Sequence, residues 1–281
     1  MSARIAAAVE LAGTGGSASD RLARAAAAVR AAKAAGASLV VLPEAYLPGY
    51  AHAAADGGPA ARAWMEATAR ADDVTVAMGY LDHDRCVLGV TTPNGAHTAY
   101  TKRFLSPDEA RAWRAGTHPV IVETPVGRLG LLVCADVLQL SAWDAYVGRV
   151  DAVIVAAAWP DYRDRITTIP GVARPALGWL FRDSNPYREA LLARAAVAVG
   201  APIVFANATG PYRGAEGFSG GSRIYGADGT VLAAGALAVA PIVPGTPGAP
   251  LRHTPRWAAF TRVYRFAAAV RARRDAPSGS A

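Results

Sequence analysis

Residues 119–160 read PVIVETPVGRLGLLVCADVLQLSAWDAYVGRVDAVIVAAAWP. Two short apolar runs, PVIVE and GRLGLLV, flank a turn near Pro125–Gly127, as in a β-hairpin. The second run stops at Cys134-Ala135-Asp136. Residues 138–148 then have a helical pattern, and DAVIVAAAWP reads as another buried strand. A hairpin joins antiparallel strands, whereas a strand–helix–strand unit joins parallel ones. One stretch holding both predicts a mixed sheet and an α/β layer protein.

The same mixture recurs outward from it. Upstream, RIAAAVEL (4–11) predicts a first strand. SASDRLARAAAAVRAAKAAG predicts a helix, with Ser and Asp at its front and Gly36 behind. SLVVL (38–42) is a strand, 60–71 an Ala-rich helix and VTVAMGYL a strand. RCVLGVTTPNGAHTAYTK is a hairpin turning at Asn94-Gly95. Downstream, a helix over 186–199 leads to a strand over 202–207. GGSRIYGADGTVLAAG is a third hairpin with Asp228-Gly229 at its tip. No repeat is visible, and no linker interrupts the chain before about residue 244. The predicted organisation is one domain over 1–245 and a C-terminal extended arm with a basic tail over 246–281. Arms of this kind often pack on a partner subunit.

Bulk composition excludes several classes. The 281 residues are 52% hydrophobic and 18% charged, which suits a folded domain rather than a disordered chain. Twenty-nine basic against 22 acidic residues give +7 and a pI near 9.7. That balance raises the question of nucleic acid. The arginines are scattered, however, and no zinc-finger spacing, RNP motif or dense basic run occurs, so no nucleic-acid partner is expected. Two cysteines, Cys86 and Cys134, are too few for a disulfide scaffold. No apolar run approaches the roughly 18–20 residues of a membrane helix, and MSARIAAAVELAG lacks the layout of a signal peptide. The expectation is a cytoplasmic protein with no membrane partner. Cys86, inside a hairpin strand, reads as structural, and the five histidines show no metal-ligand spacing.

Three polar residues lie at the ends of predicted strands. Glu44 follows VVLP in VVLPEAYLPGY (40–50), where a buried and unpaired carboxylate would be costly. Lys102 follows HTAYT. Cys134 follows LGLLV. Taken singly, Cys134 also fits a small buried apolar residue and Lys102 an ordinary surface lysine. Taken together they lie at strand termini, where α/β layer folds form their ligand crevices.

The constellation resembles the nitrilase, or carbon–nitrogen hydrolase, superfamily. LVVLPEAYLPGY resembles the motif of the general base, YTKRFLSPDEARAWRAG that of the lysine and GRLGLLVCAD that of the nucleophile, in the family's order. Glu109, Trp113 and Gly116 fit the family's second-glutamate pattern of Glu, three residues, aromatic, two residues, Gly. Later echoes in ARAAVAVGAPIVFANATG and GFSGGSRIYGADGTVLAAG extend the resemblance over about residues 4–235. It implies an α-β-β-α sandwich with mixed sheets, a homodimer or larger homo-oligomer, and no metal or organic cofactor. Glu44 would be the general base, Cys134 the nucleophile, and Lys102 with the N–H of Ala135 the oxyanion site. Glu109 would orient Lys102 or the substrate. Tyr50, Ala135 and Trp159 would line the substrate pocket.

Cys134-Ala135-Asp136 differs from the Cys-Trp-Glu of true nitrilases, which points to the amidase and carbamoylase branches. Those often carry an aromatic after the cysteine, so Ala135 departs there too. The expected activity is hydrolysis of a C–N bond in a small linear amide or N-carbamoyl compound through a thioester. Nitrile hydrolysis and acyl transfer to an amine are the alternatives. The segment 161–187, with Arg163, Arg165, Arg174 and Arg182 beside Trp179 and Phe181, reads as a lid or binding loop.

Overall fold

A computed structural model of the chain describes residues 4–50, 55–106, 108–161, 184–212, 216–255, 258, 261 and 262. Two mixed sheets stack face to face. The first has the order β15 (Leu237–Pro241), β1 (Ile5–Val9), β3 (Leu39–Val41), β4 (Thr75–Asp82), β5 (Arg85–Thr91), β6 (His97–Thr101). The second runs β14 (Val231–Ala234), β13 (Arg223–Tyr225), β10 (Ile203–Thr209), β9 (Ala152–Ala157), β8 (Gly127–Val133), β7 (Ile121–Thr124), with β2 (Leu11–Ala12) also pairing β10. A two-residue pair, β11 (Pro211–Tyr212) and β12 (Glu216–Gly217), lies apart. Strands β1, β3 and β4 are mutually parallel, as are β8, β9 and β10. Both sheets add antiparallel hairpins at their flanks.

Alternation along the strands explains the layering. On the first sheet Ala6, Ala8, Leu39, Val41, Ala77 and Leu81 enter the core shared with the second sheet. Their neighbours Ala7, Val9, Val40, Val76 and Met78 pack instead with Ala25, Val29, Ala61 and Met65 of two helices. Both faces of these strands are therefore buried, which is why they read as apolar runs rather than as polar–apolar alternation. The helices are α1 (Ala18–Ala34) and α2 (Gly58–Asp72). A capping box joins Ser17 to Asp20 at the start of α1. On the far side, Trp143 of α3 (Leu140–Asp144) and Leu191, Leu192, Ala195 and Val199 of α4 (Ser184–Val199) cover the second sheet. The result is the α-β-β-α sandwich. Among the described residues no helix is long and apolar enough to cross a membrane.

Two elements differ from expectation. The helix over 138–148 is a single turn and a half, Leu140–Asp144, because Cys134–Leu138 is already wound as a 3-10 helix. Strand β15, unforeseen in the sequence, pairs antiparallel with β1 across more than 200 residues of chain. Beyond it the start of the arm runs along this chain's own α4, with the Gly245 and Gly248 N–H groups donating to Gly200 O and Val197 O at 2.9 and 2.8 Å.

Candidate active site

Strands β3, β4 and β6 point one way in the first sheet, and β8, β9 and β10 run together in the second. The residues beyond their carboxyl ends converge between the two sheets.

Glu44 follows β3. Its segment folds around Gly79 of β4, whose N–H donates to Pro43 O at 3.0 Å and whose carbonyl accepts from the Tyr46 N–H at 2.8 Å. A Cβ on Gly79 would lie 2.4 Å from Glu44 Cα, so only glycine admits this approach. Ala45 takes a left-handed φ of 46° and turns the chain. The Glu44 side chain is fully buried. Its Oε1 accepts from Lys102 Nζ at 2.6 Å, and its Oε2 accepts from the Ala158 N–H, just beyond β9, at 2.9 Å.

Lys102 follows β6 and is equally buried. Its Nζ also donates to Glu109 Oε1 at 2.8 Å. The second-glutamate pattern is a wrapping around this lysine. Glu109 binds Nζ, the Trp113 ring lies 5.9 Å from it, and the Gly116 N–H donates to Lys102 O at 2.8 Å. A Cβ on Gly116 would meet Thr101 O at 2.4 Å. Glu109 also accepts from the Tyr50 hydroxyl at 2.7 Å and the Ser106 N–H at 2.7 Å. Tyr50 stands edge-on to Trp113, Tyr212 and Phe218, forming an aromatic wall.

Cys134 follows β8 with a φ of 43°, a conformation that costs energy for any residue but glycine and that turns the thiol out of the strand. The sheet register sets it beside β9, because Val133 pairs with Ala156, and the Glu44 charge and the Ala158 N–H both act on its thiol. Ala135 lies in the first turn of the 3-10 helix that Cys134 begins, where a helix supplies no acceptor for its N–H. Asp136, fully buried, clamps the turn. One oxygen accepts from the Val133 N–H and the Tyr100 hydroxyl at 2.8 and 2.7 Å, the other from the Phe104 N–H at 2.8 Å. It thereby ties the Cys134 turn to the loop that follows Lys102. Trp159 is buried next to Ala158, and its N–H donates to Asn207 Oδ1 at 2.8 Å.

Charge balance follows from this geometry. Burial pushes the Glu44 carboxyl above its ordinary range, and the Lys102 ammonium opposes it without prevailing. Burial acts on Glu109 in the same sense, but Lys102, Ser106 and Tyr50 outweigh it and hold that carboxyl low. Burial would also lower Lys102, yet the two glutamates hold its charge firmly in place. The Cys134 thiol is pushed up by burial and by the Glu44 charge, so it rests protonated. The site thus holds a thiol, a carboxylate that can take its proton, and a fixed cation.

All seven residues singled out in the sequence stand in or beside this cluster. Sequence reasoning missed Asp136, the Ala158 N–H, Arg188 and the part played by Cys86. Cys86 is not a bystander, since its thiol lies 3.6 Å from Glu44 Oε1. The Arg and aromatic residues proposed for a lid, from Arg163 to Arg182, lie outside the described residues. Among the described residues one group, Asp56, Asp82 and His83, brings potential metal ligands within 4.8 Å, but Asp82 is already bound by Arg62 at 2.9 Å.

A model of the carbon–nitrogen hydrolase family matches residues 5–237. No curated protein sequence matches the chain significantly. Among solved structures, an amidase from Nesterenkonia sp. superposes with a TM-score of 0.67 at 22% identity, over 94% of this chain and 97% of that one. A variant of the Nesterenkonia amidase carrying the acetamide moiety of fluoroacetamide on its active-site cysteine gives 0.69 at 22% identity, over 94% and 97%. A cysteine-to-alanine variant in complex with butyramide gives 0.68 at 21% identity, over 94% and 97%. At such identity the likeness speaks for the fold.

Proposed function

This chain belongs to the carbon–nitrogen hydrolase family, and from that premise we propose that it hydrolyses the C–N bond of a small linear amide or N-carbamoyl compound through a thioester on Cys134. The observation that carries the reading is the buried Glu44 carboxylate, which holds Lys102 Nζ at 2.6 Å with one oxygen and whose charge acts on the Cys134 thiol.

Glu44 takes the thiol proton as the sulfur attacks the carbonyl carbon. Negative charge moves to the carbonyl oxygen, where Lys102 Nζ and the Ala135 N–H receive it. The tetrahedral intermediate collapses as Glu44 returns its proton to the leaving nitrogen, releasing ammonia or an amine and leaving the thioester. Glu44 then takes a proton from water, the hydroxide attacks the thioester, and the acid departs as the sulfur regains its proton. Glu109 and Tyr50 hold Lys102 in place throughout, and the Ala158 N–H steadies Glu44. A carboxyl that burial raises holds a proton more readily than an ordinary one, which suits a group that must gain and lose a proton in each cycle. The Nesterenkonia amidase, seen with butyramide and with an acetamide adduct on its cysteine, lends the substrate class by likeness.

Ammonia release from a panel of small primary amides, N-carbamoyl acids and matching nitriles tests the reading. Cys134→Ala should lower turnover by at least about 10⁴-fold with the fold intact. Mass spectrometry should find an acyl group on wild-type Cys134. Full activity of the alanine variant would refute the mechanism, and release from nitriles alone would refute the substrate class.

A further inference from the structure

The polar groups beside Cys134 on the second sheet are not all met. Arg188, on α4, is buried to 1% exposure, an expensive place for a guanidinium. It lies 4.8 Å from the Phe205 ring centre and 5.7 Å from that of Trp159. Nη1 donates to Ser219 Oγ at 2.9 Å and reaches Asn185 Oδ1 at 3.4 Å. Among the described residues its carboxylate partner is Glu189, which stands 3.5 Å from Nη2 and is committed to Arg223 at 2.6 Å. Two arginines thus share one acid, and Nε of Arg188 has no partner. Trp159 Nε1, on the ring that the guanidinium faces, has none either, nor does Ser184 Oγ. Ser184 and Arg188 are four residues apart and share a face of α4. Buried donors in folded proteins are nearly always paired. An under-compensated guanidinium with its own Nε unpaired, 5.7 Å from a ring whose N–H is also unpaired, describes a site awaiting an acceptor with negative charge.

Its position relates it to the chemistry. Trp159 follows Ala158, whose N–H donates to Glu44 at 2.9 Å, and Val133, just before Cys134, pairs with Ala156 of β9, the strand that leads to Ala158. Ser219, which anchors Arg188, is itself fixed by Asn207 Nδ2 at 3.1 Å and donates to Trp159 O at 3.1 Å. The guanidinium is therefore held on a rigid frame at the carboxyl ends of β9 and β10, next to the nucleophile on β8.

We infer that Arg188 and the Trp159 indole N–H form a carboxylate-binding subsite, so that the substrate is a short amide or carbamoyl compound with a carboxylate a few carbons from the scissile carbonyl. A planar carboxylate matches the fork of a guanidinium. The inference rests on the amidase-type reading given above, and it narrows that reading to anionic substrates.

Succinamate and glutaramate, compared with butyramide and valeramide, supply the test. The wild type should favour the carboxylated amides by about a hundredfold in kcat/KM, expressed mainly in KM. Trp159→Phe, which keeps the ring and removes the N–H, and Arg188→Lys, which keeps the charge and removes the fork, should each shrink that ratio about tenfold or more. Cys134-dependent hydrolysis of both classes at equal efficiency would overturn the subsite and leave the proposed function standing. Should neither class be hydrolysed, the substrate class falls, and binding decides the subsite. Glutarate should then raise the melting temperature of the Cys134→Ala protein and fail to do so once Arg188→Lys is added. No shift, or an equal shift in both, would overturn it.

Discussion

Where the first sheet reaches the site, the two carboxylates and the ammonium at its centre are met within the protein. Lys102 lies between Glu44 and Glu109, and Glu109 takes Tyr50 and Ser106 as well. Where the second sheet reaches the same site, Trp159 Nε1, Ser184 Oγ and Arg188 Nε are buried without partners. A saturated network fixes its members and holds charge in place. An unsaturated one is poised for something that arrives from outside. The two sides thus divide the work, with proton handling on one and recognition on the other. Within the saturated side the two glutamates divide again. Both touch Lys102, but Glu109 has two further donors and is held ionised, whereas Glu44 faces a thiol and is pushed toward its neutral form.

Exchanging each glutamate for glutamine is the sharpest way to break that second contrast. Glu44→Gln should lower turnover by about a thousandfold, since a general base is lost. Its folded-state pKa lies above the unfolded value. The stability it contributes is complete below the unfolded pKa and is lost as pH rises through the folded one. The glutamine variant should therefore be at least as stable as the wild type at pH 7 in urea denaturation. Glu109→Gln should lower turnover less, by about a hundredfold, while destabilising the fold. Its folded pKa is depressed, so its contribution is present above the unfolded value and lost as pH falls through the folded one. The difference in stability between wild type and Glu109→Gln should accordingly shrink in acid. Removing this neighbouring negative charge also lets Lys102 act on Glu44 alone. The acid limb of kcat/KM should move to lower pH. Equal behaviour of the two variants in stability would dissolve the distinction.

A backbone change should have a smaller effect. In Gly79→Ala the new Cβ would lie 2.4 Å from Glu44 Cα and 2.7 Å from Pro43 O, both backbone atoms that cannot swing aside. A loss of about 1–3 kcal/mol in urea denaturation is expected, with kcat falling more than KM rises, because the base is displaced rather than the pocket closed.

The sequence showed one side of the site far better than the other, for physical reasons. Glu44 and Cys134 were legible because each interrupts an apolar run at the end of a buried strand, where a polar residue needs an explanation, whereas Lys102, after the largely exposed β6, stood out only as a third strand terminus beside them. Glu109 followed from its spacing to Trp113 and Gly116, and all three turn out to touch Lys102. Asp136 was visible as a letter, but its partners Tyr100 and Phe104 come from another sheet and are paired only by folding. Arg188 sat in a helix whose pattern reads as ordinary, and nothing local says that this arginine points inward. Strand β15 escaped for a related reason. LAVAP leads into a proline-rich stretch, and its only partner, β1, is at the other end of the chain.

Cys86 offers the finest test of the contrast between the two sides. It alternates with its neighbours as a core residue should, yet its thiol lies 3.6 Å from Glu44 Oε1, the oxygen that also accepts from Lys102. Burial keeps this thiol protonated, so it can only donate. A thiol is a weak donor, and its loss should change turnover by less than about tenfold. The direction is informative all the same. A donor to the ionised carboxylate lowers its pKa, so Cys86→Ala should move the acid limb of kcat/KM to higher pH, opposite to Glu109→Gln. Cys86→Ser, which restores a stronger donor in the same place, should move it back or beyond. Displacement of the limb in the same direction by Cys86→Ala and Glu109→Gln would mean that Glu44 is not the group titrating in it.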